Sequence, residues 1–313
     1  MFSFITRRLL LLIPTWAAVA IISFLIIRLA GGDPAAVLVG QEGLDSVADV
    51  RSRLGLDRPL LVQLGSYLAG LLRADLGDSY FLGGTVWQSL TATAPVTLGL
   101  SVLALVLALL IGVPLGIVAA LKPDSARDTG IMLVALVGLS IPEFVTGLVL
   151  ILLFSVTWGL LPSGGYEALS QGVVPWLRHL ILPAFALGFM QSAYLARMTR
   201  ASMLEVMNSD YIRTARAKGV AYRNVVMKHA VKNASIPIIT ATGIVFAMLL
   251  SGAFITEALF RIPGVGTLVI NAVKRRDYPV IQGSLLAIAT LVLLVNLLVD
   301  CLYAFVDPRI RYD

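Results

Sequence analysis

The chain has 313 residues, of which 58% are apolar and only 13% charged, where soluble domains have about 45–50% and about 25%. A single cysteine excludes a disulfide scaffold, and the apolar content, with a mean hydropathy of +0.90, excludes intrinsic disorder. The net charge of +6 suits a nucleic-acid binder, but it equally suits a membrane protein with basic cytoplasmic loops, so position along the chain must decide.

A membrane span needs about 20 apolar residues, because the hydrocarbon core is about 30 Å thick and a helix rises about 1.5 Å per residue. Residues 9–27 qualify and follow Arg7 and Arg8. The run is longer than the roughly 7–15 apolar residues of a signal peptide, which predicts an uncleaved helix. Residues 31–94 form a stretch too long to be a mere connector, punctuated by Asp33-Pro34 and Arg58-Pro59. Leu60, Leu61, Leu64, Leu68 and Leu71 recur at helical spacing within it, so a small external subdomain is expected there.

The second span, 95–121, carries no charge. The third, 131–153, carries one, Glu143, directly after Pro142. A proline frees a backbone carbonyl and can kink a helix, and a central carboxylate costs about 2.5–3.5 kcal/mol to insert. Ser140, Pro142 and Glu143 are therefore candidates to line a water-accessible pathway, the alternative being a carboxylate paired inside the bundle. The fourth span, 180–196, is short and holds Pro183 and Gly188.

Residues 197–232 hold eight basic side chains against Glu205 and Asp210, the largest imbalance in the chain, which places them inside. Helix-forming residues run to Lys218, and Gly219 would end the helix in a left-handed cap. Arg213 and Arg216, flanked by Ile212 and Ala215, would present a short apolar face with a basic rim. Such a face suits a cleft on a soluble subunit, or else the segment is a solvated basic connector.

Spans 234–256 and 280–299 complete a set of six, the last continuing past Asp300 through Cys301, a small hydrophobe, to residue 306. Fourteen of the 24 basic residues then fall on the inside segments if both termini are cytoplasmic. Arg261, Lys274, Arg275 and Arg276, between spans five and six, run against that pattern. The expected fold is an all-α membrane protein with six transmembrane helices, divided as 1–30, 31–94 and 95–313.

Catalytic constellations are missing. There is no Gly-Lys dipeptide, hence no phosphate-binding loop of the G-x-x-x-x-G-K-[ST] kind. His179 and His229 are the only histidines, no spacing suits a metal, and neither lies in a span with Ser140 or Ser251, which argues against intramembrane proteolysis. Ile262-Pro263-Gly264-Val265-Gly266 lacks the third glycine of a dinucleotide fingerprint and reads as a turn.

The run Asp210-Tyr211-Ile212-Arg213-Thr214-Ala215-Arg216-Ala217-Lys218-Gly219, followed by His229-Ala230-Val231-Lys232-Asn233-Ala234, resembles the EAA loop of ABC-importer permeases. Gly219 matches its glycine and Ala215 its second alanine. Arg213, Thr214, His229, Val231 and Lys232 depart from the general pattern in the manner of the dipeptide/oligopeptide/nickel branch. Gly32-Asp33-Pro34, Leu54 to Pro59, Asp75-Leu76-Gly77, Glu257 and Phe260 to Gly266 agree with that branch. The likeness spans nearly the whole chain and is closest to the first permease type, with its long loop after span one.

The resemblance implies a pore-forming importer subunit for peptides or related solutes in the bacterial inner membrane. It also implies a homologous second permease as heterodimer partner, two cytoplasmic ATPases carrying the ATP and Mg, an external solute-binding protein, and no nucleic acid. Within the coupling helix Asp210, Tyr211, Arg213, Thr214, Ala215, Arg216, Lys218 and Gly219 would meet the ATPase. The rival reading is an ion- or proton-coupled secondary transporter using Glu143 and Asp300, which would call for internal repeats that the chain does not show.

Overall fold

The structure, a computed structural model, describes residues 2–29, 31–42 and 46–306, the side chains of 2–9, 11, 41–42 and 300–306 excepted. Arg7, Arg8, Arg309, Arg311, Asp300 and Cys301 thus lie outside the described side chains. The described residues are helical throughout their ordered elements, with only an isolated bridge between Asp78 and Thr85. Among the described residues five helices are long and apolar enough to cross a membrane, and counting one bent pair as a single span brings the number to six.

The helices are α1 (Phe2–Leu29), α2 (Pro34–Glu42), α3 (Val47–Arg53), α4 (Leu60–Leu72), α5 (Val86–Leu121), α6 (Ala126–Ser140) and α7 (Glu143–Leu150), the last continuing as a π-helical stretch, Ile151–Thr157. After a short 3-10 turn at Leu169–Gln171 come α8 (Val173–Met207), α9 (Asp210–Ala217) and α10 (Tyr222–Asn224). A second π-helical stretch, Val225–Ala230, leads into α11 (Val231–Phe260), followed by α12 (Val265–Arg275) and α13 (Tyr278–Val306).

Two expectations change. The third span is two half-helices, α6 and α7, bent by 99°. Pro142 lacks an N–H and forces the residue before it out of the helical region; Ile141 is extended, with φ −90° and ψ 120°. The fourth span is longer than 180–196, since α8 runs 35 residues straight through Pro183. Of segment 197–232, only residues 208–221 stand apart from the flanking long helices.

The chain divides into two compact units, Met1–Thr97 with Pro263–Leu294 and Leu98–Ile262 with Val295–Asp313. In the first, Val86, Leu90, Val265, Val269, Val280 and Ile281 form an apolar core. Its polar centre is Asp277, only 2% exposed, whose carboxylate accepts from the Ser79 hydroxyl and the Tyr80 N–H. Burial pushes the Tyr80 hydroxyl up to about 12, with the Arg28 charge pulling the other way, so Tyr80 adds no negative charge beside Asp277 at neutral pH. Thr97 Oγ1 accepts from the Val265 N–H at 2.8 Å, anchoring the start of α12, and Tyr278 donates to the Gly32 carbonyl at 2.8 Å.

The second unit is held by close backbone approach. A Cβ built on Gly112 would lie 2.4 Å from the Ser192 carbonyl oxygen, one on Gly116 2.5 Å from that of Ala196, and one on Gly188 2.6 Å from that of Ala104. Both helices advance together through these contacts, so α5 and α8 run parallel, glycine letting their backbones meet as small residues do between membrane helices. We predict that Gly112→Ala and Gly116→Ala each cost about 1–3 kcal/mol by overpacking. Gly130→Ala, where an added Cβ meets nothing within 4 Å, should be neutral or stabilising by about 0.5–1 kcal/mol. Thermal unfolding in detergent checks this; unchanged midpoints for the first pair would show that α5 and α8 do not need their close approach.

Candidate functional site

The segment richest in expected site residues, α9, is fixed from below. Ile212 is fully buried among Ala120, Met203, Val225, Val226 and Ala230, with Ala215 and Val220 packed against the same cluster. The expectation that Ile212 and Ala215 offer an apolar face to a partner is therefore corrected. That face seats the helix on the ends of α5 and α8 and on the π-helical stretch before α11, because an apolar stripe this short is satisfied by the nearest core.

The opposite face is polar and open. Asp210 and Arg213 have side chains 98% and 75% exposed, and their 3.6 Å contact is a surface pair of little energetic weight. Tyr211, Thr214, Arg216 and Lys218 are exposed beside them. Thr214 returns its hydroxyl to the Asp210 carbonyl at 2.9 Å.

Gly219 ends α9 at φ +73°. Its N–H donates to the Arg216 carbonyl and the Val220 N–H to that of Ala215, at 3.0 and 3.2 Å. This is the paired closure of a Schellman cap, with Val220 supplying the apolar contact that accompanies it.

The candidate pathway residues lie at the α6–α7 break. Ser140 and Pro142 are exposed, the Ser140 hydroxyl donating to the Leu136 carbonyl at 2.9 Å. Glu143, half-buried, starts α7 and lies against Gly252 of α11: a Cβ on Gly252 would sit 2.8 Å from Glu143 Oε2 and 3.0 Å from Leu187 Cδ1. Among the described residues no cation or hydrogen-bond donor meets this carboxylate. The structure does not bring Glu143 together with the α9 residues into one site.

Sequence reasoning missed one constellation. Arg200 of α8 grips Asp128 of α6 through two bonds, Nε to Oδ1 and Nη2 to Oδ2, each 2.6 Å. Asp128 is nearly fully buried and also accepts from the Asp124 N–H at 2.9 Å. Partners 72 residues apart leave no local pattern; only the cost of a carboxylate beside a span could have flagged Asp128.

With this geometry in view, comparison with known proteins is informative. The family described as binding-protein-dependent transport system inner membrane component matches residues 112–312, and its N-terminal counterpart matches residues 1–101. The chain belongs to this family. It is 44% identical over 335 positions to the di/tripeptide transport system permease protein DppB of Pseudomonas aeruginosa, covering both chains entirely. It is 40% identical to the dipeptide transport system permease protein DppB of Escherichia coli K12, covering all of this chain and 99% of that one. A solved methionine ABC transporter, MetNI, in inward-facing conformations, matches with a TM-score of 0.58 over 70% of this chain and 97% of that one. At 19% identity that likeness shows a common fold alone.

The protein is thus a multi-pass inner-membrane permease subunit of an ABC transporter, and the ion-coupled alternative is not favoured. For this permease, Gly219→Val should be the most disruptive change in α9 and its cap. An added Cβ meets nothing within 4 Å, so the penalty is purely that of the left-handed backbone, about 1–2 kcal/mol for alanine and more for a β-branched residue. Amide exchange over 210–217 should quicken in the order glycine, alanine, valine. Equal protection in all three would mean that the cap does not hold α9.

Proposed function

We propose that this permease is the pore-forming subunit of a peptide importer, carrying small peptides inward by alternating access. In this reading it pairs with a homologous second permease, receives solute from an external binding protein, and is driven by two cytoplasmic ATPases that hold the ATP and Mg. The single observation that carries the reading is end-to-end similarity to di- and tripeptide permeases at 40–44% identity. Both termini and residues 208–221 are cytoplasmic in this account, and residues 31–94 are external.

The geometry supports particular roles. The open face of α9, with Asp210, Tyr211, Arg213, Thr214, Arg216 and Lys218, contacts the ATPase, while Ala215 and Gly219 hold that face in place. Since Ile212 roots α9 in the cluster joining α5, α8 and the start of α11, a push on α9 reaches three spans as one body. Ser140, Pro142 and Glu143 line the pathway. A break in a span is tolerated where backbone faces protein or water, and a carboxylate with no partner among the described residues suits a wet cavity.

The test is reconstitution with the partner ATPases, second permease and binding protein in vesicles. Labelled dipeptide should enter only with ATP. Arg213→Glu with Arg216→Glu should cut uptake by about ten-fold or more, as reversing two interface charges introduces like-charge contacts costing several kcal/mol. Glu143→Gln should lower uptake while the assembled complex is retained. Dipeptide entry without ATP, or full uptake by the doubly reversed variant, would reject the reading.

A further inference from the structure

We propose that the Asp128–Arg200 ion pair is the positioning contact through which displacement of α9 reaches the break at Pro142. The proposal rests on the reading of this chain as an ATP-driven importer subunit. It begins with the seat of α9. Ile212 packs on Met203, and Met203 lies three residues beyond Arg200 on α8, so the two share a helix face. Whatever moves α9 moves the stretch of α8 that carries Arg200.

Arg200 transmits orientation as well as position. Two parallel bonds of 2.6 Å from a planar guanidinium fix both the distance and the angle of the carboxylate, which a single bond would leave free to swivel. Asp128 cannot yield locally, because its carboxylate also accepts from the Asp124 N–H and its own N–H donates to Ser125 Oγ, the N-cap of α6. The first turn of α6 is thereby tied to α8. Twelve residues on, the same helix ends at Ser140, next to the extended Ile141 and Pro142.

A second observation concerns the packing of α6 beyond the fork. Just beyond the ion pair, α5, α6 and α8 border a half-open apolar groove of about 210 Å³, lined by Ile111, Leu115, Ile131, Val134 and Phe189 among others, with Leu115 and Val134 exposed. Close-packed contacts transmit strain rigidly, and on its α8 side α6 is packed to its far end, where a Cβ on Gly138 would lie 3.3 Å from Phe189 and 3.4 Å from Ala193, so α6 follows α8 as the fork orients it. A buried ion pair is in any case weak evidence for stability, because the desolvation of both charges offsets their attraction, so geometric control is the better account of its tight fork. Asp128 and Arg200 are thus positioning residues, acting on the pathway through α6.

The experiment uses the full complex, with Cys301→Ser and a Ser140→Cys reporter labelled by a water-soluble thiol reagent. In the otherwise native complex, ATP with vanadate should change the labelling rate at position 140 by about five-fold or more. In Asp128→Asn that change should vanish, and dipeptide taken up per ATP hydrolysed should fall by about five-fold or more, while hydrolysis continues. Arg200→Lys, which keeps the charge but not the fork, should show a smaller loss of the same two quantities with full assembly. If Asp128→Asn fails to assemble, Arg200→Lys decides. An unchanged reporter response and unchanged uptake per ATP in the assembled variants would overturn the proposal. Absence of any ATP-dependent uptake by the unmodified complex would instead defeat the importer reading itself.

Discussion

In hydrocarbon no water is present to satisfy backbone N–H and C=O groups, so every departure from a continuous helix must be compensated from within the protein. That constraint organises this permease. Where the third span breaks at Ile141–Pro142, the Ile141 N–H closes the end of α6 on the Val137 carbonyl, and the Pro142 carbonyl opens α7 by accepting from the N–H groups of Val145 and Thr146. A Pro-induced break that carries Glu143 on its far side is costly to keep without use. Its neighbour Gly252 leaves room for the carboxylate and nothing more.

The same constraint explains how motion can cross the molecule. Rigid helices transmit displacement along their length, and the contacts between them decide which move together. Gly112, Gly116 and Gly188 bring α5 and α8 into backbone contact, so these two act as one body. Ile212 fastens α9 to that body from outside, and α6 is tied to it by the Asp128–Arg200 fork at its start and by the packing of Gly138 on Phe189 and Ala193 near its end. In the proposed account, one helix pair, one rooted lever and one forked tie relate a push on α9 to a change at the α6–α7 break.

Much of this was legible from residue order. Six spans follow from apolar run lengths, and the α9 cap from a glycine placed just after helix-forming residues, its φ of +73° being what a left-handed cap needs. Pro142 signalled a kink, but its size was not legible, because a 99° bend depends on what α7 packs against. Pro183 carried the same signal and produced no break; Leu180, Leu182 and Ala184 are buried around it and tertiary packing keeps α8 continuous. The direction of Ile212 was also hidden. An amphipathic turn shows that it has an apolar face, and only the fold shows whether that face looks inward or toward a partner. The Asp128–Arg200 pair joins two distant segments and has no local signature at all.

The central claim is that the polar face of α9 meets a soluble ATPase while its apolar face stays rooted in the permease. Site-specific photocrosslinking tests this most directly, with a benzophenone side chain at Tyr211, which is 46% exposed on α9, and as a control at Leu72, 88% exposed at the end of α4. In the assembled complex the Tyr211 probe should crosslink to the ATPase subunit and the Leu72 probe should not. No crosslink from Tyr211 to the ATPase, or an equal yield from Leu72, would contradict the account.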